Sequence, residues 1–533
     1  MSGRRSFQIL KPCARLVMVC LVGWWMLPAP YVEGSDQDAT EAARKIQQLL
    51  QQGELAAARS ALTQALQEFP REASLHNLEG VTEAQQGNYA AACRSFRKAI
   101  EEAPHYTEAF LNLGRLYQEN TSKDPPASQK ALETYQRLLR FEPDNVEANY
   151  QAAVLLLRRG SFQASLDRLA RLPSADQDHP QTLAVRCGDY AGLGQQAQAS
   201  SAADRLLQSP ELTEPDVHSI LPVLAAHQQV GIELKLLAGL ETRNLASYES
   251  LHTLGLLYQE QGRLDSARVT LEKAAQFKPD SVPLLIELAH VAFDQKEYTG
   301  ALGYLAHARD LEPRNAAIHF FWGMVCVQEN LAEEAYRAFK NAVQLDPENP
   351  SYNYSLGIVA MHREEPSEAV PYLRKYCVLR PHDPMGRLAL GTAYFNSLDM
   401  EKAREVMIQI AGLPQTAAGA SYYLGRIANN EGDYAAAVRD LQTALKYDPK
   451  FADAYAELGL IHLKQRQYPE AEDALQKALH LNPDSYAANL NLMVLYQRTK
   501  DPRAKAQAER FEEVNKQRAE REKESLRMIE VRP

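Results

Sequence analysis

The sequence lacks the local patterns that most often carry chemistry. Its 533 residues include six cysteines and no C-x-x-C pair, which removes the local signature of a redox dithiol or a thiolate zinc site. Cys13 and Cys20 lie near the N-terminus. Cys93, Cys187, Cys326 and Cys377 are scattered and read as small core residues. None of the 13 histidines has a second one three or four residues on, the spacing that places two metal ligands on one helix face. H-E-x-x-H, G-x-x-x-x-G-K-[ST] and G-x-S-x-G are all absent, so no zincin helix, P-loop or nucleophile elbow is encoded. The carboxylate pairs Glu333-Glu334 and Glu364-Glu365 fall near expected turns and read as solvent-facing. Positive charge is also short. A net charge of −10 and a pI near 5.8 argue against the clustered basic footprint of a nucleic-acid binder. Phenylalanine (14) and tryptophan (3) are few. No cofactor or metal is expected, and an enzyme would need residues converging from distant segments.

What the sequence does contain is a period. Within Tyr248–Ser281, Leu251, Leu254, Gly255 and Tyr258 share one helical face. Gly262 marks a turn. Leu264, Ala267, Leu271 and Ala274 form a second helical stripe, and Pro279 ends it. Such a helix pair cannot cover its own apolar faces and needs copies stacked on it. Copies are present. Pro70 and Pro104, then Pro279, Pro313, Pro347 and Pro381, stand 34 residues apart, and Pro449 and Pro483 resume the phase. Gly80, Gly114, Gly255, Gly323, Gly357, Gly391, Gly425 and Gly459 run in register. So do Ala58, Ala92, Ala131, Ala267, Ala301, Ala335, Ala369, Ala403, Ala437 and Ala471. Small residues at fixed places indicate close helix crossings, where an added side chain overpacks the contact by about 1–3 kcal/mol.

These residues resemble the tetratricopeptide repeat (TPR) family, with Leu251 where that family often has an aromatic. The resemblance implies an all-α fold, a right-handed superhelical solenoid of stacked helix–turn–helix repeats. About ten clear helix pairs and two or three degenerate ones are expected.

Five segments follow along the chain. Residues 1–34 place Arg4, Arg5, Lys11 and Arg15 before the apolar run Leu16–Leu27 and the breakers Pro28 and Pro30. That is the layout of an export signal, with retention as an N-terminal anchor the alternative. The expected location is therefore periplasmic or secreted. Residues 39–172 form a first block of repeats, with an insertion around Lys123–Pro126. Residues 173–247 carry Pro180, Pro210, Pro215 and Pro222 without the full signature, and read as degenerate repeat-like helices. Expected helices there are Leu183–Leu193, Gln198–Leu207, Leu221–Val230 and Leu234–Leu240. Residues 248–485 form the regular block. Residues 486–533 supply a capping first helix and a charged, solvated helical tail.

For function, the resemblance implies that positions 2, 5, 6, 9, 12 and 13 of the repeat, counted from Tyr248, line a concave groove. In the middle of the regular block these positions are unusually apolar: Ile286, Phe293, Phe320, Phe321, Met324, Tyr354, Ile358, Met361, Leu388, Phe395, Tyr422 and Tyr423. One reading is a groove for a peptide segment of a partner protein. The other is packing between adjacent first helices. Two binding modes known in the family lack their residues: the Lys/Asn/Arg carboxylate clamp, and the Asn ladder at position 6, held here by Asn112 and Asn491 alone. The expectation is a non-enzymatic interaction scaffold that binds other proteins, with no nucleic acid. An assembly or regulatory subunit of an envelope secretion or polysaccharide-export machine is the alternative.

Overall fold

The computed structural model describes residues 37–120 and 126–521. The proposed export segment and most of the insertion lie outside them. Among the described residues the only regular structure is helical, and the chain divides into two compact units, one ending at Ser250 and the other beginning at Leu251.

The first unit opens with the pairs α1 (Gln37–Gln51)/α2 (Leu55–Glu68), α3 (Ala73–Gln85)/α4 (Tyr89–Glu102), α5 (Thr107–Glu119)/α6 (Ala127–Leu138) and α7 (Val146–Arg158)/α8 (Phe162–Leu169). It continues through α9 (Ser174–Gln177), α10 (Pro180–Gly192), α11 (Gln196–Gln208), α12 (Glu214–His218), α13 (Leu221–Ala226) and α14 (Val230–Thr242). The unit boundary falls inside α15 (Tyr248–Glu260), which is followed by α16 (Leu264–Phe277). The second unit then stacks α17 (Val282–Asp294)/α18 (Tyr298–Leu311), α19 (Ala316–Gln328)/α20 (Ala332–Leu345) and α21 (Pro350–His362)/α22 (Pro366–Leu379). Next come α23 (Pro384–Asn396)/α24 (Met400–Ile410), α25 (Ala417–Glu431)/α26 (Tyr434–Tyr447), α27 (Ala452–Lys464)/α28 (Tyr468–Leu481) and α29 (Tyr486–Thr499)/α30 (Ala504–Arg521). Within each unit, a second helix packs on its own first helix and on the first helix of the next pair.

The turn inside each pair has one fixed geometry. Gly160, Gly194, Gln228, Gly262, Lys296, Asn330, Glu364, Leu398, Gly432, Arg466 and Lys500 all have positive φ, and each follows the last by 34 residues. Gly53 and Gly87 hold the same spacing before the insertion. At each turn the N–H of the following residue bonds back five residues, as from Arg263 to the Tyr258 carbonyl at 2.9 Å and from Asp399 to Tyr394 at 2.9 Å. This is the Schellman closure of a helix, which needs a left-handed residue.

Position 8 glycines leave room for a large side chain as well as for a backbone. A Cβ on Gly80 would lie 2.5 Å from the Phe96 ring, on Gly114 2.5 Å from Tyr135, on Gly323 2.5 Å from Phe339, and on Gly459 2.5 Å from Leu475. The residue at position 24 of the partner helix fills the space, and the position 20 alanine lets the helices close. At Gly425 the Ala437 carbonyl also approaches, at 3.1 Å.

Position 4 carries a second device. Polar side chains there bond the carbonyl of the proline that ends the preceding pair. His76 reaches Pro70 at 3.0 Å, Asn149 reaches Pro143 at 2.8 Å, His319 reaches Pro313 at 2.9 Å and Asn353 reaches Pro347 at 2.9 Å. Arg387 bonds Pro381 at 2.6 Å and Asn489 bonds Pro483 at 3.0 Å. Each bond ties the start of a first helix to the loop that follows the preceding pair.

Residues 173–247 keep the repeat phase in their turns, at Gly194 and Gln228. The pair α10/α11 matches the expected helices closely. Helix Leu221–Val230 does not form as one piece: α12 and α13 together stand in for a first helix, and α14 starts at Val230. Proline accounts for the interruption, since Pro215 and Pro222 each occupy a helix start and donate no N–H. The tail also differs from a freely solvated helix. Val514 of α30 is buried, Phe511 meets Tyr486 at 5.1 Å, Gln507 donates to Asn489 at 2.9 Å and Arg510 to Asp484 at 2.6 Å. Helix α30 is thus the second member of a final pair.

Candidate functional site

The apolar side chains at the groove positions come from five consecutive first helices, α17, α19, α21, α23 and α25. They fall into neighbouring clusters. Ile286, Phe293, Phe321 and Met324 pack together. Phe320, Tyr354, Ile358, Met361, Phe395 and Tyr423 belong to the next cluster. Leu388 packs with Tyr423 beside Met407, and Tyr422 with Phe451. Phe320, Phe321, Tyr354 and Phe395 are 5–7% exposed. Their rings are used in packing: Phe320 on Phe339 (5.4 Å) and Tyr352 (4.7 Å), Tyr354 on Tyr376 (4.9 Å), and Phe321 on Phe293 (5.7 Å). The other eight are half-buried and keep part of their surface in solvent.

Polar residues at the same positions are invisible to a search for apolar stripes. His252 and Glu287 pair at 2.5 Å. His290 stacks on Phe321, centroids 4.1 Å apart and planes 20° off parallel. Burial lowers the pKa of His290, against the opposing pull of Asp294 and Glu287. Arg426 lies over Phe395 at 4.5 Å. Reading positions 5, 6, 9 and 12 for charge as well as hydropathy finds all of them.

Where the irregular segment meets the start of α15, a serine, a histidine and a carboxylate do converge. Ser250 Oγ donates to Glu214 Oε1 at 2.5 Å and lies 2.7 Å from His218 Nε2, which is itself 3.6 Å from Glu214. A nucleophilic triad needs the imidazole between hydroxyl and acid, one ring nitrogen to each. Here the same nitrogen faces both, and the carboxylate accepts the hydroxyl's hydrogen bond directly. Ser250 is also buried. Burial alone would raise the pKa of Glu214, but hydrogen bonds from Ser250 and Ser247 outweigh it and hold the group ionised. The cluster fastens the start of α15 to α12. Among the described residues no three His, Cys, Asp or Glu side chains group as metal ligands, and no helix is long and apolar enough to cross a membrane.

An all-helical stack of 34-residue pairs with small residues at the crossings defines a helical-repeat protein. Models of the family described as tetratricopeptide repeat match residues 44–117, 327–384 and 430–486, and residues 128–186 and 258–321. The chain belongs to the tetratricopeptide repeat family, and its repeats build a protein–protein interaction scaffold. Solved structures similar to it include the APC/C hetero-tetramer Cut9-Hcn1, at 18% identity over 83% of this chain and 94% of that one, with a TM-score of 0.35. YrrB, described as a TPR protein with an unusual peptide-binding site, is 22% identical over 41% of this chain and 95% of its own, with a TM-score of 0.28. PilF of Pseudomonas aeruginosa is 24% identical over 38% and 92%, with a TM-score of 0.31.

Proposed function

We propose that this protein is a non-catalytic scaffold that holds a peptide segment of another protein along the first-helix face of α17 to α25. The supporting observation is the run of half-buried apolar side chains on consecutive first helices, notably Met324, Ile358 and Met361. Side chains fully used in packing offer a ligand little. These three pack against the core and keep part of their surface in solvent, and methionine adapts to varied partners. The test replaces Met324, Ile358 and Met361 together by Ser and measures partner binding and thermal stability. Weaker binding with a near-unchanged melting profile supports the reading. Unchanged binding by the folded variant removes it.

The scaffold is proposed to act outside the cytoplasm, on the charged, apolar and proline-containing order of residues 1–34. A mature protein starting after Leu27 marks a cleaved signal. An intact N-terminus in the membrane fraction favours the second reading, an anchored subunit of an envelope machine. A cytoplasmic protein with an intact N-terminus contradicts both.

A further inference from the structure

Arg426 stands on α25 at position 9 of the repeat, among three rings contributed by two first helices. Its guanidinium carbon lies 4.5 Å from the centroid of Phe395, 5.5 Å from Tyr422 and 5.9 Å from Tyr423. The rings brace one another. Phe395 and Tyr423 meet edge to face at 5.3 Å, Tyr422 and Tyr423 at 5.3 Å, and Tyr422 also packs on Phe451 at 4.8 Å. A guanidinium in contact with aromatic rings spends no hydrogen-bond donor on them, so its N–H edge stays available to an acceptor.

That edge has no acceptor among the described residues. On other first-helix faces of this unit, Lys464 donates to Asn429 at 2.8 Å and His252 pairs with Glu287 at 2.5 Å. Arg363, at the end of α21, holds Glu333 at 2.7 Å and Glu365 at 3.1 Å. Two carboxylates of α27, Asp453 and Glu457, act on Tyr422 electrostatically, yet neither pairs with Arg426, and Glu457 already accepts from Asn429 at 2.5 Å. Arg426 is thus a half-buried cation in contact with three rings, with no acceptor for its donors among the described residues.

We infer that Arg426 and the Phe395–Tyr422–Tyr423 rings form the seat for an Asp or Glu side chain of the bound peptide, flanked by an apolar residue that contacts the rings. A carboxylate matches the planar fork of donors in a bidentate way, and the rings shield the pair from water, which strengthens it. The inference rests on the peptide-binding reading above and adds the chemistry of the ligand.

The test uses the full chain and two fluorescein-labelled sets of peptides of about 12 residues. One set carries a single Glu among Leu, Phe and Ser, and the other has Gln in place of that Glu. Fluorescence polarisation gives Kd for wild type, Arg426→Gln, Arg426→Lys and the Met324→Ser/Ile358→Ser/Met361→Ser variant. Wild type should prefer the best Glu peptides by about 10- to 100-fold over their Gln partners, the range expected for a charge-assisted hydrogen bond. Arg426→Gln should lose that preference while binding the Gln set as wild type does. Arg426→Lys should keep a reduced preference, because a point charge cannot form the fork. The triple Ser variant should weaken both sets equally, so loss of the groove is read separately from loss of the carboxylate seat. Equal binding of the two sets by wild type, a preference that survives in Arg426→Gln, or no binding of either set overturns the inference. Arg426→Gln is checked for an unchanged circular dichroism melt, since the side chain is part-exposed and makes no buried ion pair.

Discussion

Replacing Gly323 by Ala should destabilise the second unit measurably, although alanine is the better helix former by about 0.8–1 kcal/mol. The added Cβ would sit 2.5 Å from Cε1 and 2.6 Å from Cδ1 of Phe339. That ring is fully buried and packs on Phe320 at 5.4 Å, so it has no solvent-side rotamer to retreat to. Overpacking of this kind costs about 1–3 kcal/mol. With the ring unable to move, the upper part of that range applies, and the helix-propensity gain leaves a net cost of about 1–2 kcal/mol; at about 2–4 °C per kcal/mol for a unit this size, a fall of about 2–8 °C is expected. The preceding repeat supplies the control. There Ala289 and Leu305 occupy the same two positions, and both are fully buried. The double variant Gly323→Ala/Phe339→Leu copies that pair. Phe339→Leu alone should cost on the order of 1 kcal/mol through lost volume, and the double variant should be more stable than the sum of the singles by about 1 kcal/mol or more. Urea titration followed at 222 nm measures all four corners of the cycle. A neutral Gly323→Ala, or strictly additive singles, would refute the crossing geometry.

Three further outcomes follow from the same structure. Leu398 holds positive φ with its side chain 78% exposed. The left-handed conformation costs a leucine about 1–2 kcal/mol and glycine's extra unfolded-state freedom returns about 0.5–1 kcal/mol of that, so Leu398→Gly should raise stability slightly in thermal melts. Asn353, which is buried and donates to the Pro347 and Asn349 carbonyls at 2.9 and 2.8 Å, should cost about 1–3 kcal/mol when replaced by Ala, because two hydrogen bonds made by one buried amide are lost. Asp189 is fully buried with both carboxylate oxygens unbonded. Burial raises its pKa to about 8, against smaller lowering effects of Ser165 and Arg186. Because the folded value lies above the unfolded one, its contribution to stability is complete below about pH 4 and is lost as pH rises through about 8. Asp189→Asn should therefore flatten the decline of the first unit's melting temperature between pH 6 and 9, and an unchanged slope would rule out this assignment.

The repeat was legible because its signature residues are dictated by contact. A glycine facing a position 24 ring, an alanine under a helix crossing and a proline after the second helix have few substitutes. Residues 173–247 obscured the period for the same reason in reverse. Cys187 stands at position 8 and donates from its thiol to the Ala199 carbonyl at 3.4 Å. Just before that segment, Ser165 stands at position 20 of α8's repeat and donates to the Ala153 carbonyl at 3.0 Å. Gln228 takes the left-handed turn without being glycine. Each keeps the geometry while erasing the letter by which the geometry is recognised. The position 4 stitches escaped notice because His319, Asn353 and Arg387 differ in type and share only reach and polarity. For the candidate site, the sequence indicated which helix face to consider. Whether a ring on that face is open or spent depends on the residues beneath it. Phe339 and Tyr352 close over Phe320, whereas Met324 and Ile358 stay half-buried. Hydropathy does not distinguish the two.

The most direct test of the account is site-specific photo-crosslinking in cells. A benzophenone amino acid is placed at Ile358, on the proposed peptide-binding face, and in a separate strain at Arg374, exposed on second helix α22. The account predicts that Ile358 crosslinks a partner protein and that Arg374 does not, with the crosslinked segment mapping by mass spectrometry to a single peptide stretch. Crosslinking from Arg374 with none from Ile358 would place the interaction on the second-helix surface and contradict the proposed site.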